Sequence, residues 1–219
     1  MIDLTIPTLH GPATAEVHCA EQGRAALLLG HGAGGSIGAP DLMATTRAAK
    51  AAGVHVALVI QPYRVVGRRA PAPARQLDEA WLAVVHHLTE STFTGLPLIF
   101  GGRSSGARVA CRTAVAGGAV AVLCLAFPVH PPGRPDRSRM NELDALDLPV
   151  LVVQGERDPF GRPEPATRRE VALLPGDHSL KADPAALEHR VGHWLGRQLR
   201  HLLDVNYKLD TDGNGVGCQ

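Results

Sequence analysis

Two adjacent serines stand between glycines in the stretch FGGRSSGAR, residues 100–108, and only one is spaced for nucleophilic chemistry. In a G-x-S-x-G elbow the chain turns so sharply that the residues two before and two after the serine must be small. Ser104 has Gly102 and Gly106 at those positions, whereas Ser105 has Arg103 and Ala107. The preceding LPLIF is short and apolar like a buried strand, and the following ARVACRTAVA is spaced like a helix, so Ser104 falls on a strand-to-helix turn. A glycine-rich turn of this kind also cradles phosphates, but neither G-x-x-x-x-G-K-[ST] nor G-x-G-x-x-G is present. A plain glycine turn stays open as the competing reading.

A serine hydroxyl is a weak nucleophile at neutral pH. It needs a base within hydrogen-bond reach and an acid to hold that base in the right tautomer. His86, His87, His189, His193 and His201 fall inside helical patterns, where packing or solvent explains them. His178, in a loop between the last strand and the last helix, is the best-placed base. Asp158, in GERDPFG after the preceding strand, is the expected acid; Glu156 stays near the strand end, and Asp177 adjoins the histidine too closely to face it. The stretch HGAGG, residues 31–35, supplies glycines that let backbone N–H groups approach an oxyanion. The amides of Ala33 or Gly34, with that of Ser105, are the expected hole.

These residues need elements to bring them together. The apolar runs 25–32, 54–62, 97–102, 119–128, 149–158 and 170–176 have strand length and read as buried parallel strands. Helical spacing covers 40–52, 74–90, 105–117 and 184–203; in the second of these, Leu77, Ala80, Trp81, Val84, Val85 and Leu88 share one face. The alternation predicts an α/β fold with a mostly parallel sheet, helices on both faces and no cap domain. IDLTIP and TAEVHCAE, with no helix between them, predict an antiparallel hairpin at its edge. Ligands bind such sheets at the carboxyl ends of the strands, and every candidate above lies on that edge.

The same edge carries His31, Arg64, Arg103 and His130 as candidate substrate-binding residues. With Arg68, Arg69 and Arg134, the arginines would form a basic rim favouring small anionic esters, lactones or acyl thioesters. Solvation or pairing with carboxylates is the alternative for each of them. His31 has no second ligand at metal-binding spacing, which favours a role bracing its loop; no metal and no cofactor are expected.

The chain of 219 residues suits one domain, with residues 1–203 as its body and 204–219 as a flexible, Gly-rich tail. A net charge of +1 with interleaved signs speaks against nucleic acid as a partner. No leader pattern opens the sequence and no window has membrane-spanning length, so a cytoplasmic protein acting on a small molecule, without a membrane partner, is the expectation. Cys19, Cys111, Cys124 and Cys218 lack paired spacing and read as free thiols.

LGHGAGG, GGRSSG, FPVHPPGRP, VVQGERDPFG and LPGDHSL together resemble the small, capless branch of the α/β-hydrolase superfamily. That branch holds dienelactone-hydrolase-like bacterial proteins, small testis-expressed proteins and the hydrolase-like domain of a subunit of the non-specific-lethal chromatin complex. The resemblance spans about residues 15 to 203 and implies Ser104, Asp158 and His178 as a triad, in the superfamily's Ser…Asp…His order. Dienelactone hydrolases proper use cysteine where Ser104 stands. The activity implied is cleavage of an ester or thioester of a small acyl substrate through an acyl-enzyme on Ser104. The branch also includes scaffolds, so a catalytically idle protein that binds a protein partner is the alternative. The tail NYKLDTDGNGVGCQ resembles the end of the Excalibur calcium-binding motif, with Asp210, Asp212 and Asn214 as oxygen donors, but it stops before the position of a bidentate glutamate.

Overall fold

The computed structural model describes the backbone of residues 1–212 and the side chains of residues 1–202. Its centre is an eight-stranded sheet in the order β1-β2-β4-β3-β5-β6-β7-β8. β1 (Ile2–Ile6) and β2 (Ala13–His18) form the expected antiparallel edge hairpin, and β2 pairs antiparallel with β4. The remaining strands run parallel: β3 (Ala25–Gly30), β4 (Val54–Ile60), β5 (Leu98–Arg103), β6 (Ala119–Leu125), β7 (Val150–Gly155) and β8 (Arg169–Leu174). β3 and β7 are buried along their whole length because helices cover both faces, which is why they read as unbroken apolar runs.

α1 (Pro40–Ala51) and α6 (Pro184–Asp212) pack on one face, where Leu42, Leu187, Val191 and Trp194 meet Leu27, Leu29 and Val153. α3 (Ala74–Glu90) and α4 (Ser105–Thr113) cover the other, where Trp81, Val84, Val109 and Ala110 meet Leu28, Phe100 and Val122. The Cys111 and Cys124 thiols touch in that second core, Sγ to Sγ 3.5 Å apart, without a disulfide. No helix among the described residues is long and apolar enough to cross a membrane.

Two single-turn helices, α2 (Pro62–Val65) and α5 (Asn141–Asp144), were not expected, being too short for a periodic pattern to register. The backbone of α6 continues past the expected limit at 203 to Asp212; the tail motif from Gly213 onward, with Asn214 and Cys218, lies outside the described residues.

The connection after β3 leads to β4 on one side, while β5 lies on the other side of β3. A crevice therefore opens at the carboxyl ends of β3 and β5, where the order of the sheet reverses. The HGAGG loop leaves β3 and the serine pair leaves β5 at that point.

Candidate active site

Gly30 pairs with Gly102 where β3 and β5 end side by side, and α4 starts directly against them. A Cβ on Gly102 would lie 2.8 Å from the Gly30 carbonyl oxygen, and one on Gly106 would collide with the same atom. Both glycines are thus required by the close approach of strand and helix. Between them Ser104 takes φ 52° and ψ −106°, a strained conformation for a residue with a side chain, and its N–H donates to Leu125 O at 2.9 Å.

The turn aims Ser104 Oγ at His178, whose Nε2 is 2.9 Å away. On the far side of the ring, His178 Nδ1 lies 2.8 Å from Asp158 Oδ2. An ionised carboxylate only accepts, so Nδ1 carries the proton and the Nε2 lone pair faces the serine. The Asp158 carboxylate is fully buried. It accepts the Phe160 N–H on Oδ1 at 2.9 Å and the Gln154 amide on Oδ2 at 2.8 Å. Phe160 also packs on the His178 ring, with centroids 4.3 Å apart. A Cβ on Gly155 would strike the Asp177 carbonyl, so a bare glycine at the end of β7 lets the loop carrying the base approach the loop carrying the acid.

The HGAGG loop folds as a tight turn closed by Gly35 N–H donating to Gly32 O at 3.0 Å. Among the described residues the N–H groups of Ala33 and Gly34 donate no hydrogen bond, and the N–H of Ser105, first in α4, has no intrahelical acceptor. Tyr63 fastens the loop from outside, its hydroxyl donating to Ala33 O at 2.6 Å. Burial raises the Tyr63 pKa and keeps the phenol protonated for that role.

Three of the four expected substrate-binding residues are engaged elsewhere. His31 is 3% exposed; its Nε2 accepts the Gln61 N–H at 3.1 Å, so its Nδ1 donates to Gly32 O at 2.8 Å. Burial lowers its pKa and holds it neutral, and no ring nitrogen is left for substrate. Arg103 Nε lies 2.9 Å from Asp41 Oδ2, and its Nη2 donates to His178 O at 3.3 Å. Arg64 Nη1 donates to Arg68 O at 3.0 Å. The fourth, His130, half-buried beside Gly161, is engaged only locally, its Nδ1 lying 3.0 Å from Pro131 O. Of the wider basic rim, Arg134 pairs with Asp136 at 2.8 Å, while Arg68 and Arg69 stay exposed. Among the described residues no three His, Cys, Asp or Glu side chains gather to hold a metal ion.

Sequence reasoning missed Gln154, Tyr63, Phe160 and Asp41. Gln154 had a visible signal, being a polar residue at the end of an otherwise apolar buried strand. Asp41, directly after Pro40 at the start of α1, reads from sequence only as a charge that suits a helix N-terminus.

Residues 23–189 match a family model described as an alpha/beta hydrolase domain. Among solved structures, the fold is shared with an α/β serine hydrolase without a lid from Xanthomonas campestris, at 22% identity and TM-score 0.70, covering 90% of this chain and 94% of that one. The esterase Est1E from Butyrivibrio proteoclasticus, with ferulic acid bound, superposes at TM-score 0.73 and 14% identity, covering 90% of this chain and 99% of its own. A dienelactone hydrolase from Anabaena variabilis aligns at TM-score 0.66 and 17% identity, over 91% and 96% of the two chains. No curated protein matches the chain.

Proposed function

Because this chain belongs to the α/β-hydrolase family, we propose that it is a serine hydrolase cleaving an ester or thioester of a small acyl substrate through an acyl-enzyme on Ser104. The observation that carries the reading is the unbroken chain from Asp158 through both nitrogens of His178 to Ser104 Oγ, at 2.8 and 2.9 Å.

In the first half-reaction Ser104 Oγ attacks the carbonyl carbon and its proton passes to His178 Nε2. The imidazolium so formed is held by the buried Asp158 carboxylate, which stays ionised. The carbonyl oxygen becomes an oxyanion and takes the free N–H groups of Ser105 and of Ala33 or Gly34. Collapse of the tetrahedral intermediate expels the alcohol or thiol, which leaves with the proton from Nε2. Water then attacks the acyl-enzyme, Nε2 taking its proton, and the carboxylic acid departs as the proton returns to Ser104 Oγ.

The test is a screen of short-acyl nitrophenyl esters and acyl thioesters with the full chain. Turnover above the Ser104→Ala background supports the reading; turnover no greater than that background, across the panel, contradicts it.

A further inference from the structure

The residue just before the candidate nucleophile, read as either facing substrate or pairing with a carboxylate, pairs with a carboxylate. Arg103 ends β5, and its guanidinium touches three other segments: the start of α1 through Asp41 Oδ2, the glycine loop at Gly32, and the base loop through His178 O. A Cβ on Gly32 would come within 2.9 Å of Arg103 Nη1, so the guanidinium lies close against the glycine loop. The Asp41 carboxylate is 1% exposed, and its Oδ1 accepts the Leu42 N–H at 3.0 Å. A buried carboxylate of this kind is an anchor only while its cation is present.

The base loop has other supports as well: Gly176 O accepts the Arg157 N–H at 2.9 Å, and the Leu180 side chain, 2% exposed, packs in the core. It leaves β8, the edge strand, and turns through Gly176 and Leu180, both at positive φ. Inside the loop Asp177 Oδ1 accepts from Ser179 N–H and Ser179 Oγ, which shapes the turn without tying it to the body of the protein. The His178 side chain is tied to Asp158 and its main chain to Arg103.

We propose that Arg103, anchored by Asp41, is a positioning residue that fixes the main chain of His178 and so seats its imidazole between Asp158 and Ser104. The inference rests on the catalytic reading of Ser104 and His178 given above. The contacts explain the residue type: a planar fork reaches Asp41, Gly32 and the His178 carbonyl in three directions, which a single ammonium cannot do. Displacing the pivot of the base by a fraction of an ångström lengthens the bond to Ser104 Oγ.

The experiment measures kcat and KM of the full chain on a short-acyl nitrophenyl ester. Arg103→Lys and the paired replacement Arg103→Met with Asp41→Leu are each made in the wild type and in His178→Ala. The paired replacement leaves no buried charge without a partner, so the fold survives even where a single truncation would not. The expected result is a kcat lower by about tenfold to a hundredfold with KM little changed, and no further loss when either is added to His178→Ala. Proton NMR of the downfield His178 Nδ1–H, assigned by its disappearance in His178→Ala, reads the same geometry without turnover; the paired replacement is expected to broaden or shift it. A wild-type kcat in both variants, an equal loss in the His178→Ala background, or an unchanged Nδ1–H signal overturns the proposal. If no ester is turned over by the wild type, the catalytic reading fails, and the NMR result alone decides whether Arg103 positions His178.

Discussion

Gln154 donates its side-chain amide to Asp158 Oδ2 at 2.8 Å, from a fully buried position at the end of β7 four residues earlier in the chain. The same Nε2 lies 3.0 Å from Phe127 O and 2.9 Å from Gly161 O, so one amide holds the acid loop against the end of β6. Gln154→Leu removes all three interactions. Stability should fall by about 1–3 kcal/mol as carbonyls are left unpaired, and kcat by about tenfold as Asp158 loses a partner. Urea unfolding and ester kinetics check the two effects; a variant with wild-type kcat would show that Asp158 is held without Gln154.

The elbow makes a steric prediction. Gly106→Ala drives a methyl into Gly30 O, where backbone on both sides leaves no room to yield, so the variant should lose about 3 kcal/mol or more and its activity with it. Gly192→Ala in α6 has 3.9 Å to its nearest neighbour and should instead stabilise, by about 0.5–1 kcal/mol. Thermal melts of the two variants distinguish packing at the elbow from a general intolerance of alanine.

Much of this was legible because the strands between two helical layers are buried on both faces and so stand out as apolar runs. VHVALVI and PVLVVQG needed nothing else to be placed. Ser104, Asp158 and His178 were legible for a related reason: each follows a strand, and parallel strands deliver their carboxyl ends to one edge. Arg103 and His31 were each left between facing substrate and bracing the protein, because position along an edge is legible in sequence and direction is not. Arg103 turns to Asp41, which arrives from a distant helix, and His31 turns to Gln61 on the loop after β4. α2 and α5 escaped because one helical turn has no period to detect.

His31 gives a pH prediction with a definite sign. Burial holds its folded pKa below the ordinary value of about 6.5, so the folded protein binds fewer protons there than the unfolded chain. The stability this contributes is fully present above about pH 6.5 and is lost as pH falls toward the folded pKa. Urea midpoints measured downward from neutral pH should therefore decline more steeply for the wild type than for His31→Gln. Parallel declines would mean that His31 protonates as readily folded as unfolded.

Whether Ser104 is the nucleophile activated by His178 is decided by covalent labelling with a fluorophosphonate, read by intact mass. The expected result is one adduct on the wild type, mapped to Ser104 by peptide sequencing, much slower labelling of His178→Ala, and none on Ser104→Ala. Labelling of Ser104→Ala at the wild-type rate, or an adduct on Ser105, would contradict it.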